Sequence, residues 1–218
     1  MSEIYTIGYS SFTPNNFVEV LKSYGITCLV DVRSIPLSTY RKDFDKANIS
    51  RLMKKNGIIY RHYAKEFGAR QTDERFFTDG VLDFEKFSES PQFIDGVKKI
   101  EAGMQLGCKF VLMCAEKRPE VCHRNILVAR AFYKRGHEVR NILDDGGYIT
   151  QDEVEKILLN KYFPNRNQIL LFDNLDVSEM IGQSYAKRNF EIGYRLNDDV
   201  DEKNFHGRIY PQDGERFF

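Results

Sequence analysis

Between Phe110 and Gly136 the chain reads FVLMCAEKRPEVCHRNILVARAFYKRG. Cys114 and Cys122 bracket a short polar stretch, Glu116 lies two residues after the first, and His123 and Arg124 follow the second directly. These residue types support three readings. In the first, one thiol is a nucleophile. Cys122 stands where a helix pattern begins, and the free N–H groups and partial positive charge of a helix start stabilise a thiolate. The same N–H groups favour an anion, and Arg124 could clamp it in bidentate fashion. Glu116 or His123 would move protons. In the second reading Cys114, Cys122 and His123 are metal ligands, although C-x7-C-H is not a usual zinc spacing and no second CxxC accompanies it. We therefore assign no residue to a metal and no cofactor. In the third, the two thiols are merely half-buried, His123 opens a helix and Arg124 lies on the surface.

A second strand end carries Asp31 and Arg33, in VDVRS. They form either an ion pair that anchors a loop or a charged edge that faces a cleft. KEFGAR adds Glu66 and Arg70 at the start of a long segment reaching to Asp83, the kind of connection that can form a lid or binding loop. Asp144-Asp145-Gly146-Gly147 is ordinary turn chemistry, and His62, His137 and His206 carry no pattern of their own.

The elements that must position these residues follow from periodicity. Short apolar runs at Ile4–Gly8 and Thr27–Val32 read as buried strands, and Ile58–His62, Lys109–Met113 (all apolar after the lysine) and Val139–Leu143 read as three further strands. Helical patterns lie between them. One is opened by Thr13-Pro14 and closed at Gly25, one spans Asn48–Lys55, one restarts at Ser90-Pro91, and one runs from Cys122 to Arg135. Five alternations predict an α/β fold: a three-layer αβα sandwich around a mostly parallel five-stranded sheet, occupying residues 1–149. Ligands of such sheets bind beyond the carboxyl ends of the strands. Residues 150–218 read as a helical C-terminal extension. It holds helices at Asp152–Tyr162 and within Asp176–Tyr194, an apolar run at Ile169–Phe172, and a polar tail from Asn197 expected to wrap the surface.

Bulk properties narrow the function classes. The 218 residues are 42% hydrophobic and 13% aromatic, enough to drive burial. Lys plus Arg balance Asp plus Glu at 32 each, which gives no global attraction to nucleic acid or to anionic membranes. No apolar run reaches the length of a membrane span, and no signal peptide is recognisable, so a cytoplasmic location is expected. Cys28 and Cys108, at the edges of apolar runs, read as core thiols.

The order strand, Cys114, loop, CHRNILVARAF is similar in layout to rhodaneses and Cys-dependent phosphatases, but Glu120 and Val128 stand where those enzymes place an arginine six residues after the nucleophile. Four ordered motifs, TIGYS, LVDVRSIP, KEFGAR and CAEKRPEVCHR, resemble the DUF488 family over about Ile4 to Leu143. The resemblance places a site at Gly8, Tyr9 and Ser10; at Asp31, Arg33 and Pro36; at Glu66, Gly68 and Arg70; and at Cys114, Glu116, Pro119, Cys122, His123 and Arg124. The family more often carries His at the position of Tyr9 and Leu at that of Phe67. The combined expectation is an enzyme with an anion-binding cleft and a Cys/His/Arg/Glu site for a small phosphate- or sulfur-containing substrate. The alternatives are a non-catalytic module that binds a nucleotide or nucleic-acid phosphate, with Tyr9, Tyr40 and Tyr60 as stacking surfaces, and a metal-binding protein. Expected partners are a small anionic ligand or nucleotide, with nucleic acid possible and no membrane. Nothing in the sequence sets the oligomeric state.

Overall fold

Apolar runs too short for helices become strands. In the computed structural model these are β1 (Glu3–Gly8), β2 (Cys28–Asp31), β3 (Ile59–His62), a two-residue hairpin β4 (Phe77–Thr78) and β5 (Val81–Leu82), then β6 (Phe110–Cys114), β7 (Glu138–Ile142) and β8 (Tyr148–Thr150). The structure describes residues 2–38, 40–166 and 176–196. The main sheet has the order β3-β2-β6-β1-β7-β8. Its first five members are parallel, and β8 pairs antiparallel with β7. The sheet therefore has six strands where five were expected. The sixth is a short edge strand that returns from the Asp144–Gly147 turn.

The helices are α1 (Pro14–Ser23), α2 (Lys46–Lys55), α3 (Ala64–Phe67), α4 (Phe84–Ser88), α5 (Pro91–Gln105), α6 (Arg130–Lys134), α7 (Gln151–Tyr162) and α8 (Val177–Ile192). Thr13 caps α1, accepting from the Asn16 N–H, with Pro14 in the first turn as the sequence predicts. A π-helical segment, Arg124–Ala129, runs directly into α6.

Strand alternation divides the interior in two. Phe17, Leu21, Ile49 and Met53 of α1 and α2 pack with Ile7, Leu29, Val111 and Met113 on one face. Phe93, Val97 and Ile100 of α5, Ile126 and Phe132 around α6, and Val154 and Leu158 of α7 pack with Ile4, Val30, Leu112 and Cys114 on the other. This is the three-layer sandwich. Because β6 lies between β1 and β2, the carboxyl ends of those three strands adjoin at the point where crossovers change direction, the usual place for a ligand in an open α/β sheet.

α7 begins one residue after β8, and α7 and α8 pack against each other. Among the described residues, no helix is long and apolar enough to cross a membrane. The apolar run Ile169–Phe172 and the tail from Asn197, with His206, lie outside the described residues.

Candidate functional site

Each member of the first polar cluster owes its position to a different element. β6 carries Cys114 to the carboxyl edge of the sheet, on the α5/α6 face. The chain then loops out through Glu116, makes a short 3-10 turn at Pro119–Val121, and returns with Cys122 in an extended conformation just before the π-helical segment. The Cys122 carbonyl accepts from the N–H groups of Asn125 and Ile126, at 3.0 Å each, which makes it the acceptor of the first turn. Its Sγ accepts the Arg124 N–H at 3.4 Å, as a capping side chain would. The sequence predicted a helix from Cys122 onward; the helix instead starts at Arg124.

Arg124 locks the loop. It is fully buried, and its guanidinium donates to the carbonyl oxygens of Glu116 and of Lys117, the latter at 3.2 Å, with a longer contact of 3.4 Å to Thr6 Oγ1. Gly8 permits the same loop to cross β1, because a Cβ there would lie 1.8 Å from the Glu116 oxygen. The Ser10 N–H reaches the Ala115 carbonyl at 3.1 Å.

These constraints bring four reactive side chains together. Cys122 Sγ lies 2.8 Å from Glu116 Oε2. Cys114 Sγ lies 3.8 Å from His123 Nδ1. His123 Nε2 sits 3.0 Å from the Val32 carbonyl, at the end of β2. The ligand atoms of Cys114, Cys122 and His123 all lie within 4.8 Å of one another. Burial pushes the Glu116 carboxyl up to about 7 and, with Cys122 beside it, pushes the Cys114 thiol up as well. Burial acts the same way on Cys122, but the Cys114 hydrogen bond, the Arg124 cation and His123 outweigh it, so this thiol lies well below its ordinary value. Burial opposes the charged form of His123, yet its interaction with Cys122 raises the ring to about 9.

Asp31 and Arg33 form a separate cluster on the opposite face. In register Asp31 pairs with Met113, whose side chain points toward α1 and α2, away from Cys114. Asp31 accepts from Arg33 Nε at 2.8 Å and Nη2 at 2.6 Å, and from the Tyr60 hydroxyl at 2.8 Å. Arg33 also donates to the Phe44 carbonyl and to the Tyr9 hydroxyl. The Tyr9 ring stacks on Phe44 at 4.5 Å. Of the three proposed stacking tyrosines, Tyr9 is therefore buried, Tyr60 is tied to Asp31, and Tyr40 is 81% exposed.

The remaining candidates stand apart. Glu66 lies in the α3–α5 seam, 3.5 Å from Lys99 Nζ, where a Cβ on Gly96 would meet its own Cβ at 2.7 Å. Arg70 is exposed; its N–H donates to Ser34 Oγ at 2.8 Å and its guanidinium lies over the Tyr194 ring. The guanidinium groups of Arg33, Arg70 and Arg124 thus point to three different places, each against protein atoms.

One buried network was not anticipated. Asn125 Nδ2 donates to Asn141 Oδ1 at 2.7 Å and to Gln151 Oε1 at 2.8 Å; Gln151 Nε2 donates to Asn125 Oδ1 at 3.1 Å and to the Tyr185 hydroxyl at 2.7 Å. Thr6 Oγ1 donates to Asn141 Oδ1 at 2.8 Å. The network ties the helix behind the cysteines to α7 and α8. Its signal in the sequence is a polar residue inside an apolar strand run, Thr6 in YTIG and Asn141 in VRNIL.

A family model described as a domain of unknown function, DUF488, matches residues 13–131. No curated protein and no solved structure matches the chain. The match includes every residue of the cysteine cluster, while Gly8, Tyr9 and Ser10 precede it.

Proposed function

The chain belongs to the DUF488 family, and we propose that it is an enzyme acting on a small phosphate- or sulfur-containing substrate, with Cys114, Glu116, Cys122 and His123 as its reacting centre. The observation that carries this reading is the Glu116 carboxyl held 2.8 Å from Cys122 Sγ at the carboxyl edge of the sheet. A carboxyl fixed beside an electron-rich sulfur can take a proton from an attacking group and return it to a leaving group. Its position does not depend on its own flexibility, because Arg124 grips the backbone on which it sits. Lys117 and Arg118 follow on the same loop, with side chains 48% and 65% exposed, and pair with Asp144 and Glu120 respectively. A passive phosphate-binding module is less well supported, since the Arg33 and Arg124 guanidinium groups it would use are turned into the protein.

The test is a panel of phosphate monoesters, nucleoside phosphates, thioesters and thiosulfate. We expect turnover of at least one compound, reduced about a hundredfold or more in Glu116→Gln, the usual size of a lost general acid–base group. Full activity in that variant, or no turnover of any compound by the unaltered protein, overturns the reading.

A further inference from the structure

We infer that Cys114, Cys122 and His123 bind one divalent ion of the zinc class, leaving its fourth position open beside Glu116. This inference rests on the enzyme reading above and names the cofactor of that site. The three ligand atoms already stand within 4.8 Å of one another, with Cys114 Sγ and His123 Nδ1 at 3.8 Å. Around a tetrahedral zinc with bonds of 2.0–2.3 Å, neighbouring ligand atoms are separated by about 3.5–3.8 Å. Small side-chain rotations therefore close the triangle on an ion.

The surroundings match those of a metal seat. A carbonyl can only accept, so His123 Nε2, 3.0 Å from the Val32 oxygen, carries a proton. When an ion displaces the second proton of the ring, its Nδ1 lone pair faces the sulfurs. A backbone carbonyl that fixes the outer nitrogen is the usual support of a ligating histidine. The Arg124 N–H directed at Cys122 Sγ steadies the thiolate. Two thiolates and an imidazole select a zinc-class ion over calcium or magnesium, which take oxygen ligands. Two buried thiolates would also balance the ion's charge.

Glu116 lies on Cys122 Sγ, beside the triangle and not within it. Three protein ligands with a carboxyl next to the vacant position is the arrangement of a catalytic zinc. A water on the ion would give its proton to the Glu116 carboxylate. The resulting hydroxide would attack phosphorus or a thioester carbonyl carbon, and the proton would pass to the leaving group as its bond breaks. The C-x7-C-H spacing is unusual for zinc because the fold, not a short CxxC, brings the ligands together.

Elemental analysis of the purified full chain should find about one equivalent of zinc, falling below about a tenth in Cys122→Ser or His123→Asn. Cobalt(II) loaded in its place should give intense tetrahedral d–d bands and sulfur-to-cobalt charge transfer, a readout that does not require the variants to fold. Glu116→Gln should keep the metal, as should Cys108→Ser. Less than a tenth of an equivalent of any transition metal, with no cobalt spectrum, overturns the inference. Loss of metal in Glu116→Gln overturns the open fourth position. Metal-free protein that still turns over substrate through Glu116 removes the ion and leaves the enzyme reading intact. Metal-loaded protein indifferent to Glu116→Gln does the reverse.

Discussion

Asp31→Ala is expected to lower stability by about 3–5 kcal/mol, the usual result of stripping one partner from a buried ion pair. Asp31 is fully buried and Arg33 is 5% exposed. The carboxylate accepts from Arg33 Nε and Nη2, from the Arg33 backbone N–H at 3.1 Å, and from the Tyr60 hydroxyl. Without it the guanidinium keeps only the Phe44 carbonyl and the Tyr9 hydroxyl, neither of which carries charge. At about 2–4 °C per kcal/mol for a chain of this size, thermal unfolding should begin some 6–20 °C lower. Replacing both residues with apolar side chains should recover much of the loss, since the pair's own desolvation cost also disappears. A fall of less than about 1 kcal/mol by urea unfolding would show that water reaches the pair. The effect should be on stability alone: the pair and the cysteines lie on opposite faces of the sheet, so metal content should not change.

Gly8→Ala is expected to damage stability and site together. The added Cβ would lie 1.8 Å from the Glu116 oxygen, 2.7 Å from its carbonyl carbon and 3.1 Å from Lys117 Cα. All three are backbone atoms, so no side chain can swing away. β1 cannot retreat either, because Gly8 is in register with Cys114 between two parallel neighbours. The loop must lift, and the Glu116 oxygen then leaves Arg124. Overpacking typically costs about 1–3 kcal/mol, and a clash with backbone on both sides belongs at the upper end of that range. Displacing Glu116 should also reduce turnover at least tenfold even where the protein remains folded. A Gly8→Ala protein with unchanged melting temperature and turnover would mean that the loop lifts off β1 at no cost and that Arg124 does not fix Glu116.

The sequence revealed the parallel strands to within a residue or two: β1, β2 and β6 are short, nearly all buried runs, while β3 (IYRH) and β7 (EVRNI) mix apolar with charged residues and were legible by length and place between helices. β8 was missed since its three residues are half-exposed and carry no alternation. Nor can any local pattern distinguish the π-helical Arg124–Ala129 from an α-helix, for both bury Ile126, Leu127 and Val128. The cysteine cluster could be seen as a segment but not as a geometry: its loop and Cys114–Cys122 closure depend on a buried arginine and on a glycine more than a hundred residues upstream. Of the two readings of Asp31 and Arg33, the structure shows the ion pair and not a side chain facing the cysteines. The pair's direction depends on register, in which Asp31 matches Met113 and not Cys114. Parity along a strand is readable from sequence, but the offset between two strands is not.

The amide chain from Asn125 through Gln151 to Tyr185 has a practical consequence for anyone dividing this protein. A fragment ending at residue 149 would keep every proposed ligand yet leave Asn125 without its Gln151 acceptor, and would uncover Val154's and Leu158's contacts on the sheet. Residue 150 is thus a poor place to cut: the amino-terminal part should be insoluble or metal-free when expressed alone, because α7 and α8 support the helix that follows the cysteines.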